Sequence, residues 1–200
     1  MISASELLIA ALAPHWTSLR WASWQSGYEV GDIITNKDKY KRGWTGGLPE
    51  TECGSGSKVQ NTELQRDWIP EIIEKYGIKT IADIGAGDLN WIKHMDLSGI
   101  DYAAYDLVPR HESVVEFNLV EQVAPKVDLI LCLWVLNHFP IESSRMAIHN
   151  LKASGSKYLM MTDRPKYHAD QPEEIHMPYI EKMPLNEKDD SIMLINLQAC

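Results

Sequence analysis

The chain predicts an α/β fold: an open, mostly parallel sheet of seven strands, flanked by helices and closed by an antiparallel hairpin near the C-terminus. Three observations predict it. Short β-branched apolar runs alternate with helix-period segments from residue 62 onward, the pattern of strand–helix–strand units. The run Thr80-Ile81-Ala82-Asp83-Ile84 meets Gly85 and Gly87, one residue apart, as a buried parallel strand does where it turns sharply. Finally, residues 178–185 and 191–198 read as two strands around the charged turn 186–190.

Residues 1–24 carry Leu7, Leu8, Leu12, Trp16, Leu19, Trp21 and Trp24 around Pro14, which predicts one or two short helices. From 25 to 56 the periodicity dissolves into Gly, Lys, Asp, Thr and aromatics. An irregular stretch of that length inside a compact domain is usually a lid or a disordered segment. Tyr28, Tyr40 and Trp44 give it side chains to pack with, which favours a lid. Its run Lys37-Asp38-Lys39-Tyr40-Lys41-Arg42 reads either as a solvated face or as a contact for an anionic substrate, with Tyr40 or Trp44 stacking on a base. The expected division is residues 1–60 as N-terminal helices and lid, and 61–200 as the core domain.

Residues 62–76 set Leu64, Trp68, Ile69, Ile72 and Ile73 on one helical face, with Pro70 inside and Gly77 as the stop. The glycine turn follows, and a helix is expected from about 88 to 95. Gly85 and Gly87 remove Cβ atoms that would hold a ligand off the backbone, and they tolerate positive φ. The helix would aim its unpaired N–H groups above the strand ends. The second strand, 101–106, ends in Asp106, about 20 residues beyond the turn, where an acid accepts the ribose hydroxyls of an adenosine ligand. Residues 114–118 form the third strand, too soon after Asp106 for a crossover helix of usual length. The nearly continuous apolar run 127–134 reads as a central strand buried on both faces. A helix over 141–151 and a strand over 157–162 complete the alternation.

Composition is that of an ordinary globular protein, 44% hydrophobic and 24% charged. No apolar run approaches the ~20 residues that span a bilayer. Residues 5–13 contain Glu6 and lack a basic segment before them, so a cytoplasmic protein is expected rather than a secreted one. Cys53, Cys132 and Cys200 have no metal-ligand spacing and read as reduced thiols. His168 and His176 are too loosely spaced for a metal site. A net charge of −9 argues against nucleic-acid binding through a general field while leaving a local patch open.

A dinucleotide fingerprint needs a third glycine where this chain has Asn90. Asp83 and Asp88 flank the turn, where they would repel a pyrophosphate and suit a ligand bearing an ammonium or sulfonium. The run Asp83-Ile84-Gly85-Ala86-Gly87-Asp88-Leu89-Asn90-Trp91 resembles the first motif of the class I S-adenosylmethionine-dependent methyltransferases, in the subgroup reading Asp-x-x-x-Gly-Asp-x-x-Trp. Asp106 resembles the second motif of that family, and Leu136-Asn137-His138 its Leu-x-His after the fourth strand. Trp44, Gly46, Gly47 and Gly54-Ser55-Gly56-Ser57 are similar to the segment preceding the first motif. The resemblance spans about residues 53–198.

It implies a Rossmann-like seven-stranded methyltransferase sheet and S-adenosylmethionine as cofactor. Asp106 would hold the ribose and Asn118, where relatives more often carry Asp, the adenine edge. Asp83, Asp88 or their neighbours would take the methionine ammonium, directly or through water. Ser57, Trp91, Leu107, Cys132 and Leu133 would complete the cofactor contacts. His138 is either the general base or a structural pin through a backbone hydrogen bond. Trp44, Trp134 and Arg164 are substrate-side candidates, with Asp163 beside them unless it pairs with Arg164. No metal is implied.

The acceptor implied is a small molecule, glycan or peptide. The chain lacks the Asn/Asp-Pro-Pro-Tyr/Phe that grips an exocyclic nitrogen, and Cys132 is not in a Pro-Cys loop. A nucleic-acid acceptor using residues 37–42 stays open, as does a monomer or a dimer. Two other classes compete: a non-catalytic nucleoside-binding protein and a Rossmann-like oxidoreductase.

Overall fold

The computed structural model describes residues 50–163, 178–185 and 190–199. The expected N-terminal helices, the aromatic part of the lid with Trp44, the basic run 37–42, Arg164, His168, His176 and Cys200 lie outside the described residues.

Seven strands form one sheet: β1 (Thr80–Ile84), β2 (Asp101–Asp106), β3 (Val114–Glu116), β4 (Leu129–Cys132), β5 (Tyr158–Asp163), β6 (Glu181–Pro184) and β7 (Ser191–Asn196). Their order is β3-β2-β1-β4-β5-β7-β6. The first five run parallel, while β7 pairs antiparallel with both β5 and β6. The chain moves outward from β1 in one direction through β2 and β3, then returns to β1's other side as β4. That reversal makes a switch point at the C-terminal ends of β1 and β4, where such sheets open a crevice.

Alternation along the central strands explains their unbroken apolar sequence. Leu129 and Leu131 of β4, Met160 of β5, and Ile192 and Leu194 of β7 share one face with Ile69 and Ile72 of helix α1 (Glu63–Tyr76). Ile130 and Cys132, Leu159 and Met161, and Met193 and Ile195 share the other with Ala147, Ile148 and Leu151 of helix α2 (Ile141–Ala153). Each strand thus feeds two cores at once, which is why its sequence is mostly apolar.

Helix α1 ends where Gly77 takes φ 62° and Ile78 N–H bonds Ile73 carbonyl at 3.0 Å, a closure that needs a residue without Cβ. Beyond the glycine turn the structure departs from expectation. No α-helix covers 88–95; turns lead to a single 3-10 turn at Ile92–His94. Leu89 stands at φ 57°, which interrupts a right-handed helix, and the side chains that would cap one are committed elsewhere. The third and fourth strands are also shorter than expected. Asn118 lies past the end of β3, and Trp134, at φ 60°, turns the chain away after Cys132.

At the opposite end of the sheet one carboxylate ties three strands. Asp128 Oδ2 accepts from Lys79 N–H (2.9 Å) and Thr80 N–H (3.1 Å), Oδ1 takes Lys157 Nζ (2.6 Å), and Thr80 Oγ1 accepts Asp128 N–H (2.8 Å). Asp128→Ala strands two backbone donors and is expected to cost about 1–3 kcal/mol, read as a lowered urea midpoint.

Candidate functional site

The glycine turn folds down on the end of β2 rather than opening toward solvent. Gly85 N–H and Ala86 N–H both bond the Tyr105 carbonyl, at 2.8 and 3.0 Å, and Gly87 N–H bonds Asp106 Oδ2 at 2.8 Å. Three successive amides are therefore spent within the protein. A phosphate cradle would leave them pointing at the ligand, and no helix N-terminus follows to supply more. The pyrophosphate site of a dinucleotide fold is absent for these two reasons.

The glycines are required because their Cβ space is taken. At Gly85 (φ 89°) a Cβ would meet Val135 Cγ2 at 2.3 Å, and at Gly87 (φ 60°) one would meet Cys53 Sγ at 2.5 Å. The side chains that come so near are the protein's own. Gly85→Ala combines an unfavourable φ with that clash and is expected to cost about 3 kcal/mol. A Val135→Ala background should recover roughly half of the loss in urea unfolding, since it relieves the clash and not the φ.

Asp106, at the C-terminal end of β2, accepts Gly87 N–H on Oδ2 and Val108 N–H on Oδ1 (2.9 Å). Each oxygen keeps a further lone pair, the arrangement two vicinal hydroxyls need. Burial raises its carboxyl above the usual range, opposed by the two N–H bonds and by the Arg110 guanidinium. These features fit the sugar of a nucleoside cofactor. Leu107 follows in the bend that begins the β2–β3 loop. The Asn118 amide oxygen, expected at an adenine edge, accepts Val120 N–H at 3.1 Å.

Asp88 and Asn90, which flank the turn, do not face outward as free ligand groups. Asp88 Oδ2 accepts from Thr51 Oγ1–H (2.8 Å) and Glu52 N–H (3.0 Å), and Oδ1 from Asn90 N–H (3.2 Å). Asn90 Nδ2 donates to Glu50 Oε1 and the Ser57 carbonyl, both at 2.9 Å. Glu50 Oε1 also accepts Val59 N–H at 2.8 Å, closing residues 50–59 into a loop. The Asp-x-Asn of the motif thus clamps this loop over the glycine turn. Asp88, expected at the methionine ammonium, spends these bonds on the clamp. Ser57 enters through its carbonyl. Glu50, Thr51, Cys53 and Val135 are site-forming residues the sequence reading missed. Asn90, where a third glycine would stand, was the available signal.

Asp83 lies beneath the turn, 4% exposed, and accepts the Tyr102 hydroxyl at 2.7 Å. Burial pushes its carboxyl up to about 7; the Tyr102 bond opposes this and the charge of Asp106 adds to it. Asp83 thus supports the turn from below. The folded protein keeps this proton up to about pH 7, whereas the unfolded chain releases it near the ordinary 3.8. Stability thus falls as pH rises through that window and levels off above it. Asp83→Asn keeps an acceptor for Tyr102 and removes the titration. Its stability relative to wild type should rise between pH 4 and 8 by an amount on the order of a few kcal/mol, measured by urea unfolding at both ends.

On the β4 side, Cys132 is 1% exposed within the core, burial holding its thiol up at about 12. Leu133 is buried with the opposite core. The Cys132 side chain packs in the core. Trp91 packs against the same core as Leu133. Trp134 N–H bonds Thr162 Oγ1 at 3.0 Å, and its indole lies under Gly56, where a Cβ would stand 3.9 Å from the ring. Trp134 thus lies, half-buried, against the 50–59 loop. His138 ends the 3-10 turn Leu136–His138, half-buried, with Asn137 Nδ2 3.2 Å from its Nε2. Asp163 pairs with Lys182 at 3.2 Å. Among the described residues no group of acids, histidines and cysteines is arranged to hold a metal ion, and no helix is long and apolar enough to cross a membrane.

No family model and no curated protein matches the chain. Solved structures do. The N-methyltransferase NodS from Bradyrhizobium japonicum WM9, in complex with S-adenosyl-L-homocysteine, superposes with a TM-score of 0.57 at 12% identity, over 80% of this chain and 97% of NodS. Magnesium protoporphyrin IX methyltransferase (ChlM) from Synechocystis PCC 6803, with the same ligand bound, gives 0.51 at 14% identity, over 82% and 94%. WbdD gives 0.51 at 13% identity over 68% of this chain, which spans only 40% of the WbdD length. The shared feature is the fold: a Rossmann-like methyltransferase sheet with a C-terminal antiparallel hairpin.

Proposed function

We propose that the chain is a class I S-adenosylmethionine-dependent methyltransferase of the Asp-x-x-x-Gly-Asp-x-x-Trp subgroup. The acceptor we favour is a small molecule, a glycan or a peptide. One observation carries the reading: a partly buried carboxylate, Asp106, stands at the end of β2 beside a glycine turn that offers no amides to a phosphate. That pairing suits a nucleoside without a pyrophosphate. It disfavours the dinucleotide oxidoreductase, whose ligand needs the amides and the helix end that this turn lacks.

S-adenosylmethionine, when bound, supplies a methyl group already activated by its positive sulfur. What remains for the chain is alignment and, where the acceptor requires it, removal of a proton. Asp106 would bind the two ribose hydroxyls and fix the nucleoside along the rim. The clamped loop 50–59 would exclude water from the turn. His138, on the segment following β4, would take the acceptor's proton or else hold that segment in place. A non-catalytic nucleoside-binding role is the second reading, favoured by the loop that already covers the turn.

Calorimetric titration with S-adenosylmethionine, S-adenosylhomocysteine and NAD tests the ligand. Radiolabelled methyl transfer into fractionated cell extract separates enzyme from binder and reveals the acceptor class. Asp106→Ala is expected to weaken S-adenosylhomocysteine binding by about 2–4 kcal/mol, since it strands two hydroxyls. An unchanged dissociation constant would remove Asp106 from the site.

A further inference from the structure

Arg110 sits four residues past Asp106, in the loop between β2 and β3. Asp106 Oδ1 accepts Val108 N–H at 2.9 Å, which bends this loop at its start. The Arg110 side chain then reaches residues 50–59, where its Nη1 lies 2.6 Å from Glu52 Oε2. Its charge also acts on two groups that flank Gly87. One is Asp106, whose Oδ2 accepts Gly87 N–H. The other is Cys53, whose Sγ would stand 2.5 Å from a Cβ on Gly87.

Exposure decides which acid this cation serves. The Glu52 side chain is 72% exposed against 13% for Arg110, so water and salt screen their pair and it contributes little. Asp106 is partly buried, and a charge acting on it there is screened less. Asp88 and Asp83 repel its charge, and Glu116 stands beside it in register on β3. The Cys53 thiol, which burial holds up at about 12, is uncharged near neutrality. Of these groups only Arg110 is positive. The ligand chemistry makes that matter. An ionised carboxylate only accepts, and each Asp106 oxygen spends one lone pair on an N–H and keeps another for a ribose hydroxyl. A proton on either oxygen turns an acceptor into a donor and weakens the grip on two hydroxyls that both donate.

We propose that Arg110 is a positioning residue of the nucleoside site, its charge offsetting the acids around Asp106 so that this carboxylate accepts both ribose hydroxyls. The proposal rests on the nucleoside reading of Asp106. Arg110 itself touches no ligand in this role; it acts through the acid.

Calorimetric titration with S-adenosylhomocysteine, on wild type, Arg110→Gln and Arg110→Lys, tests it between about pH 5.5 and 8. Without the guanidinium, Asp106 takes up its proton at higher pH. The ratio of wild-type to Arg110→Gln affinity is therefore expected to grow as pH falls, by roughly three- to tenfold across that range. The ligand's own titration, and that of Asp83 at about 7, are common to all three proteins and cancel in the ratio. Arg110→Lys keeps the charge and is expected to restore most of the binding at the acidic end. A loss equal at every pH, or equal in the two variants, assigns Arg110 to holding the loops and overturns the proposal. Carboxyl NMR of the ligand-free proteins supplies a readout that needs no ligand. Asp106 is expected to titrate at higher pH in Arg110→Gln than in wild type or Arg110→Lys, and an unmoved titration overturns the part of Arg110 alone. Absence of S-adenosylhomocysteine binding to the wild type overturns the nucleoside reading itself, and the proposal with it.

Discussion

The site depends on where three backbone amides go. Gly85, Ala86 and Gly87 turn their N–H groups onto the Tyr105 carbonyl and the Asp106 carboxylate, so the turn is fastened to the end of β2. This sets Asp106 at a fixed height beside the turn, and it removes the donors that an anionic ligand would seek. A glycine turn is therefore not by itself a phosphate site. What decides the ligand is whether its amides are spent inside the protein or held out from it, and here they are spent.

The same fastening explains why the residues after the turn do not form a helix. With the turn pulled toward β2, Asp88 and Asn90 are free to reach the other way, and they clamp residues 50–59. The clamp competes with helix formation because the Asp88 carboxylate and the positive φ of Leu89 are both used to make it. One short motif thus does two jobs, fastening the turn to Asp106 on one side and a covering loop to the sheet on the other.

The seven strands and most of their limits were legible in the sequence because both sheet faces are buried, and burial writes itself as unbroken β-branched and aliphatic runs. Asp106 was legible because its distance from the turn is set by one strand–loop–strand unit. The missing helix was not, since the residues that prevent it act through partners at 50–57, more than thirty positions upstream. The directions of the Cys132 and Trp134 side chains were not legible for a related reason. Proximity to the rim in sequence does not say which way a side chain turns, and Cys132 turns into the core while Trp134 turns under Gly56.

Beneath the site, Asp83 and Tyr102 form a buried acid–phenol pair. Burial raises both groups, so near neutrality the pair holds its protons more tightly than either side chain does in water. An acid at this position facing a cationic ligand directly would need to be ionised, and the structure makes ionisation costly. Asp106 stands closer to the rim with two N–H donors on its carboxylate, which oppose the burial that raises it. The two acids are thus divided by environment: the partly buried one is held by two backbone N–H groups near the rim, and the fully buried one is kept near neutral so that its charge does not add to the repulsion already present between Asp88 and Asp106.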